Sequence, residues 1–282
     1  MRRIAIATSD FDNVNYDPDG QILIEALAGA DLEGSMCVWD DESVAWSEFD
    51  LTVIRSTWDY TDELSGYLAW ARGIAHLLNP YPIIEYSTDK HYLGDLARRA
   101  HRIVPTTFCD VGDEPAFPDG PFVVKPTVGR GAIDAERYRH DEHERALAHV
   151  RRLHADRRDV MIQPYVASID GDGERALVFI DGEFSHAMTK AAMLNTPADV
   201  RDALFRRRQM SVATGEPDAV AFAEAVMGED AFRGILYGRV DLVRMSEGWA
   251  IMELELVEPS LFLAYDDRAP RRLAEAIRAR LD

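Results

Sequence analysis

The sequence predicts an α/β chain in which an N-terminal parallel-sheet unit precedes two units of α+β character. Up to about residue 86, short apolar runs alternate with helically spaced segments, the pattern of strands joined by crossover helices. Beyond that point two hairpin signals, Asp181-Gly182 and Ser246-Glu247-Gly248, replace the alternation with antiparallel pairing. At 282 residues, 47% apolar and 29% charged, the chain has the size and composition for two or three compact units. The expected divisions are 1–86, 87–166 and 167–282.

Ile4 to Ala7 reads as a short buried strand, followed by an acidic loop from Asp10 to Asp19. Ile22, Leu23, Ala26 and Leu27 give Gln21 to Ala30 a helical period. Met36 to Trp39 and Leu51 to Ile54 are further strands, and Thr61 to Leu78 reads as a longer helix. In parallel sheets, ligands sit at the carboxyl ends of strands. That singles out Thr8-Ser9-Asp10 and the loop Arg55-Ser56-Thr57-Trp58-Asp59-Tyr60. No Gly-x-Gly-x-x-Gly follows the first strand, which argues against a dinucleotide site.

Ser87 or Thr88 is the expected cap of a helix running through Lys90 to about His101. Phe122 to Pro126 is a strand opening onto Val128-Gly129-Arg130-Gly131. A charged helix, Asp141 to Leu153, and a strand, Val160 to Val166, follow. Ala176 to Ile180 pairs with Glu183 to Met188. An Arg-rich stretch (Arg201, Arg206, Arg207, Arg208) and a helix, Asp218 to Val226, lead to the last hairpin. There Gly238 to Val243 faces Trp249 to Leu256, and a helix from Pro270 to Leu281 closes the sequence.

The net charge of -19 excludes nucleic acid as the main partner, since a phosphate backbone needs a basic face. Cys37 and Cys109 are too few for a disulfide framework and fit free thiols in a reducing compartment. The apolar run after Met1-Arg2-Arg3 is too short for a signal peptide. No stretch approaches the roughly 20 apolar residues of a membrane helix. A cytoplasmic location is therefore expected, without membrane partners and with room for a homodimer.

Of 31 basic residues only Lys90, Lys125 and Lys190 are lysines, and each stands at the edge of a predicted element. An ammonium is a compact point charge that binds phosphate well, so the three together point to a ligand carrying several phosphates. For any one of them alone, a chance surface lysine is the better reading. The last hairpin carries acids in otherwise apolar strands. Glu253 and Glu255 share one face while Met252 and Leu254 take the other, and an antiparallel partner can bring Asp241 opposite them. A solvent-facing edge is the plain alternative. Three carboxylates together repel one another, and a hard, oxygen-ligated Mg2+ is the natural neutraliser. On that account Asp241→Asn would relieve repulsion and leave the fold intact or slightly more stable. Arg239, in phase with Asp241, completes an anion-plus-metal pattern.

In this order and spacing, Lys90, Phe122 to Lys125 with its glycine loop, Met161 to Val166, Arg239 to Asp241, and Glu253 to Glu255 resemble the ATP-grasp superfamily of carboxylate–amine ligases. The resemblance covers about residues 85 to 265. It implies an ATP-grasp fold, with the N-terminal unit on the substrate side and ATP and Mg2+ as cofactors. Lys90 and Lys125 would bind the phosphates, and the Gly129-Arg130-Gly131 loop would cover them. Gln163, Pro164, Tyr165 and Val166 would hold adenine, and Glu174 with Asp170 the ribose. Asp241, Glu253 and Glu255 would bind metal, and Arg239 and Lys190 would be catalytic. Many members carry Asn where this chain has Glu255, and smaller residues where it has Arg130.

Val53 to Tyr60 and Met252 to Leu263 further resemble the O-ureido-serine cyclo-ligases of D-cycloserine biosynthesis. That implies a small amino-acid-like substrate, met by Ser9, Asp10, Arg55, Thr57, Trp58, Asp59 and Ser260. For Trp58 and Tyr60 packing is the stronger reading, since aromatics after a strand more often pack than contact a ligand. An intermolecular amino-acid or peptide ligase and a non-catalytic nucleotide-binding module are the rival readings. His91, His101 and His186 are expected to be structural or surface residues.

Overall fold

A computed structural model describes residues 1–10, 17–192, 194 and 210–281. The Arg-rich stretch and most of the loop after the first strand lie outside the described residues.

The N-terminal unit is a parallel sheet of strand order β2-β1-β3-β4, built from β1 (Arg2–Thr8), β2 (Leu32–Val38), β3 (Leu51–Ser56) and β4 (Leu77–Leu78). Every residue of β3 is buried, as expected for a strand covered on both faces. Helix α1 (Pro18–Gly29) starts where Asp17 accepts the Asp19 N–H, with Pro18 pre-set for the first turn. The expected helix over 61–78 is shorter. Glu63 caps α2 (Leu64–Gly73), and Leu77 and Leu78 instead pair with Thr52 and Val53 at the sheet edge.

The apolar stretch from Pro82 to Tyr86, ahead of the expected cap, is itself helical. It lies in α3 (Tyr81–Ser87), and α4 (Tyr92–Arg98) starts afresh. Ser87 is unavailable as an N-cap because its hydroxyl donates to the Leu254 carbonyl. Lys90 thus sits between two helices, its N–H bonded to the Thr127 carbonyl.

The middle of the chain forms an antiparallel sheet of order β5-β8-β6-β7. Its strands are β5 (Thr107–Cys109), β6 (Phe122–Pro126), β7 (Glu136–Tyr138) and β8 (Val160–Pro164). Helix α5 (His143–Ala155) packs Ala146, Val150 and Leu153 onto it.

After a single turn, α6 (Ile169–Asp172), comes a five-stranded antiparallel sheet of order β11-β10-β9-β12-β13. Its strands are β9 (Glu174–Ile180), β10 (Glu183–Lys190), β11 (Met210–Ala213), β12 (Tyr237–Met245) and β13 (Gly248–Glu255). Asp181 and Gly182 both have positive φ, the tight hairpin their sequence announces. Gly173 (φ +69°) is required as glycine, since a Cβ there would meet the Lys190 carbonyl at 2.6 Å. That close approach sets Glu174 beside Lys190. Helix α7 (Pro217–Met227) covers one face.

Helix α8 (Ala269–Arg278) joins the two ends of the chain. Leu273 and Ile277 share one core with Leu23 and Leu27 of α1, Ile4 and Ile6 of β1, and Val178 of β9. Buried Asn79 adds a polar link. Its amide donates to the Tyr237 and Leu256 carbonyls, both at 2.8 Å, and accepts the Leu236 N–H at 2.6 Å. Each group would otherwise be buried unpaired, costing roughly 1–3 kcal/mol. Asn79→Ala is therefore expected to lower unfolding free energy by about 3 kcal/mol or more in urea titrations.

Candidate active site

One cleft opens where the three sheets meet. Lys125 of β6 and the glycine loop line one wall, Gln163 to Val166 a second, and Glu174, Lys190, Arg239, Glu253 and Glu255 the floor. The register of the last hairpin puts Asp241 opposite Glu253 and Arg239 opposite Glu255, as period-two alternation requires. Ligand oxygens of Asp241, Glu253 and Glu255 lie within 4.8 Å of one another. A bulge between Asp241 and Leu242 leaves Met252 outside the pairing, and Met252 lines the cleft. Strict alternation had placed it on the far face.

The acid cluster is already neutralised by side chains. Arg239 donates to both Asp241 oxygens (2.8 and 3.0 Å) and also to Glu255. Lys190 bridges Asp241 (2.6 Å) and Glu174 (2.9 Å), and Lys125 pairs with Glu253 at 3.0 Å. Burial works against ionised Asp241, but Arg239 and Lys190 outweigh it and hold the carboxyl below its usual range. Glu253 is likewise penalised by burial and held well down by Lys125, Lys90 and Lys190. Glu255 differs: burial, with Asp241 nearby, pushes it up to about 7 despite Arg239. Glu258, a cleft residue absent from the sequence-predicted set, is pushed up to about 8 by burial and by Glu255. Carboxylate repulsion therefore does not by itself demand a metal here.

Comparison with known proteins agrees with this geometry. Residues 4–79 match the family model of the D-cycloserine synthetase DcsG N-terminal domain. Over its full length the chain is 36% identical to the cycloserine biosynthesis protein DcsG of Streptomyces lavendulae, covering 99% of that protein. The chain belongs to the DcsG family of ATP-grasp ligases. The crystal structure of D-cycloserine synthetase DcsG superposes with a TM-score of 0.88 at 32% identity, over 99% of this chain and 100% of that one. A RimK-domain ATP-grasp protein from Sphaerobacter thermophilus shares the fold, with a TM-score of 0.69 at 17% identity over 97% and 98% of the two chains.

Within this ATP-grasp cleft the remaining sequence-predicted residues divide. Lys90 donates to the Gly129 carbonyl at 2.9 Å and so holds the glycine loop. Arg130 reaches away from the loop toward the N-terminal unit, donating to the Trp58 carbonyl (2.5 Å), Thr61 (2.8 Å) and Asp62 (3.2 Å). Gln163 spends its amide on Thr106, and the Tyr165 N–H bonds to the Pro121 carbonyl. Asp170 takes the Tyr165 hydroxyl and lies outside the described lining.

Of the predicted substrate set, Trp58 and Ser260 line the cleft. Ser9, Arg55, Thr57 and Asp59 do not, and neither does exposed Asp10. Arg55 is fully buried because β3 is central. It donates to the Pro259 carbonyl at 2.7 Å and lies 3.9 Å from Asp19. Thr57 is bonded to Tyr67, Asp59 to Trp39, and Ser9 to the Ser56 carbonyl. Arg55 thus ties the N-terminal unit to the 258–263 segment, and the other three bonds brace the N-terminal unit itself.

The pairing reverses the expected effect of removing an acid. Asp241→Asn leaves Arg239 and Lys190 buried with too little negative charge, a loss of about 3 kcal/mol in stability at neutral pH. Because the folded pKa of Asp241 is depressed, its stabilisation is complete above its unfolded value near ~3.9 and fades as pH falls further. Chemical denaturation should show the gap between parent and variant narrowing below about pH 4.

Proposed function

We propose that this chain is an ATP-dependent carbon–nitrogen ligase that closes O-ureido-D-serine to D-cycloserine, with release of ADP and phosphate. The observation that carries this reading is the convergence of three lysines on one cleft, with Glu253 and Glu255 in its lining and buried Asp241 clustered beside them, in a chain aligned end to end with DcsG. The all-carboxylate donor set of Asp241, Glu253 and Glu255 fits a hard cation such as Mg2+. Bound there, the ion would shield phosphate charge and align the transferring group.

The chain's own residues supply the rest. Lys90 and Lys125 stand at the glycine loop to take phosphate oxygens. Gln163 to Val166 offer backbone partners for adenine, and Glu174 stands at the ribose end. The substrate carboxylate attacks the γ-phosphorus, the bridging bond to ADP breaks, and an acyl phosphate forms. The oxyamine nitrogen then attacks the acyl carbon, expels phosphate and closes the five-membered ring. Water then adds to the carbamoyl carbon, the bond from that carbon to the ring nitrogen breaks and the nitrogen takes a proton, and the carbamate released falls to CO2 and ammonia. Arg239 and Lys190 face the charge that builds on the transferring phosphoryl group and the tetrahedral centre, and catalysis is mainly positioning and charge neutralisation. The Arg130 contacts tie the glycine loop to the N-terminal unit and so help keep water from the acyl phosphate.

ADP release measured with O-ureido-D-serine is expected to proceed at the same rate with or without an added amine. Dependence on the external amine would establish the intermolecular reading instead. Asp241→Asn and Glu253→Gln are expected to abolish turnover at modest Mg2+. Lys125→Arg is expected to bind ATP at least ~10-fold more weakly than the parent, no better than Lys125→Ala. A planar guanidinium meets neither Glu253 nor the phosphates at the depth of an ammonium. Nucleotide titration of the variants tests this, and parent-like binding by Lys125→Arg would refute it.

A further inference from the structure

We infer that Glu258 receives the α-ammonium group of an amino-acid substrate. The inference rests on the ligase reading above and names the group that reading leaves unassigned. Glu258 lines the same cleft as Lys90, Glu255, Trp58 and Ser260. The other carboxylates lining it are engaged: Glu174 by Lys190, Glu253 by Lys125 and Glu255 by Arg239. Among the described residues, no Lys, Arg or His stands within ion-pair distance of the Glu258 carboxylate. Glu255 opposes its charge, and Lys90 and Arg239 only partly offset it. A half-buried acid of this kind favours a cationic ligand over an empty site.

The main chain around it is fixed from several sides. Trp58 donates to the Glu258 carbonyl at 3.2 Å, Arg55 to that of Pro259 at 2.7 Å, and Arg239 to that of Ser260 at 3.0 Å. The Leu261 and Leu263 N–H groups both donate to Asp19 at 2.8 Å. Such a support holds one side chain in place before the ligand arrives. Position also matters. In an α-amino acid the ammonium is one carbon from the carboxylate, so its counter-ion must stand close to where that carboxylate is phosphorylated. Glu258 is three residues beyond Glu255 and feels Lys90. Arg55, which a sequence reading assigns to the substrate, does its work by holding this segment.

The test uses O-ureido-D-serine and its des-amino analogue, titrated into enzyme saturated with Mg2+ and a non-hydrolysable ATP analogue. The parent is expected to prefer the amine by at least ~10-fold, as sites built around a polar group do. Glu258→Gln should lose that preference by weakening the amine compound alone, with nucleotide affinity and the des-amino compound unchanged. Glu258→Asp should keep part of it. Equal or undetectable binding of the two compounds by the parent overturns the inference. So does a Glu258→Gln variant that weakens both compounds alike or weakens the nucleotide. ADP release by the parent reports separately on the ligase reading. Preferential amine binding without turnover would sink that reading and leave the role of Glu258 standing.

Discussion

Asp241 is a carboxylate with no exposed surface, held in the second-last strand of an antiparallel sheet. Removing a charge from water costs several kcal/mol, repaid only by good geometry and full pairing. Here the fork of Arg239 meets both carboxylate oxygens and Lys190 approaches from β10. Those contacts hold together the strands that carry Glu174, Lys190, Arg239 and Glu255. The sheet cannot slide by one residue without stranding a buried charge, so this pairing also fixes which side chains face the cleft.

The same pairing defines the unliganded chemistry of the cleft. Lys125 and Lys190 are bound to Glu253 and Asp241 of the carboxylate cluster, not exposed to solvent as free phosphate hooks. Pairing with phosphate would require each lysine to exchange one charge partner for another. Desolvated charges that are already oriented need little reorganisation when a transition state forms.

A second constraint joins the N-terminal unit to the far end of the chain. Asn79, Arg55, Trp58 and Asp19 bond the backbone between 236 and 263, and the Tyr237 hydroxyl donates back to the Ile54 carbonyl. The site therefore includes a wall whose position depends on a sheet that contributes few side chains to it. Arg130 adds a contact in the opposite direction, from the glycine loop to the loop after β3.

By itself the sequence determined the local structure and the chemistry that local order can encode. Alternation gave the parallel unit, Asp181-Gly182 its hairpin, and period two the shared face of Glu253 and Glu255, because these signals act over a few residues. The family order of Lys90, Lys125, Asp241 and Glu253 was equally legible. Tertiary structure alone decided what met each charge. Arg55 looks like a ligand residue in a strand-end loop, but it belongs to the central strand β3 and is fully buried, and its partner is the carbonyl of Pro259. Ser87 has the chemistry of a cap, but a distant carbonyl takes its hydroxyl. The Met252 bulge breaks the alternation from which its face was read. Glu258 lies past the end of β13, where no period assigns a face. Long-range packing and desolvation set these outcomes, and neither is written into neighbouring residues.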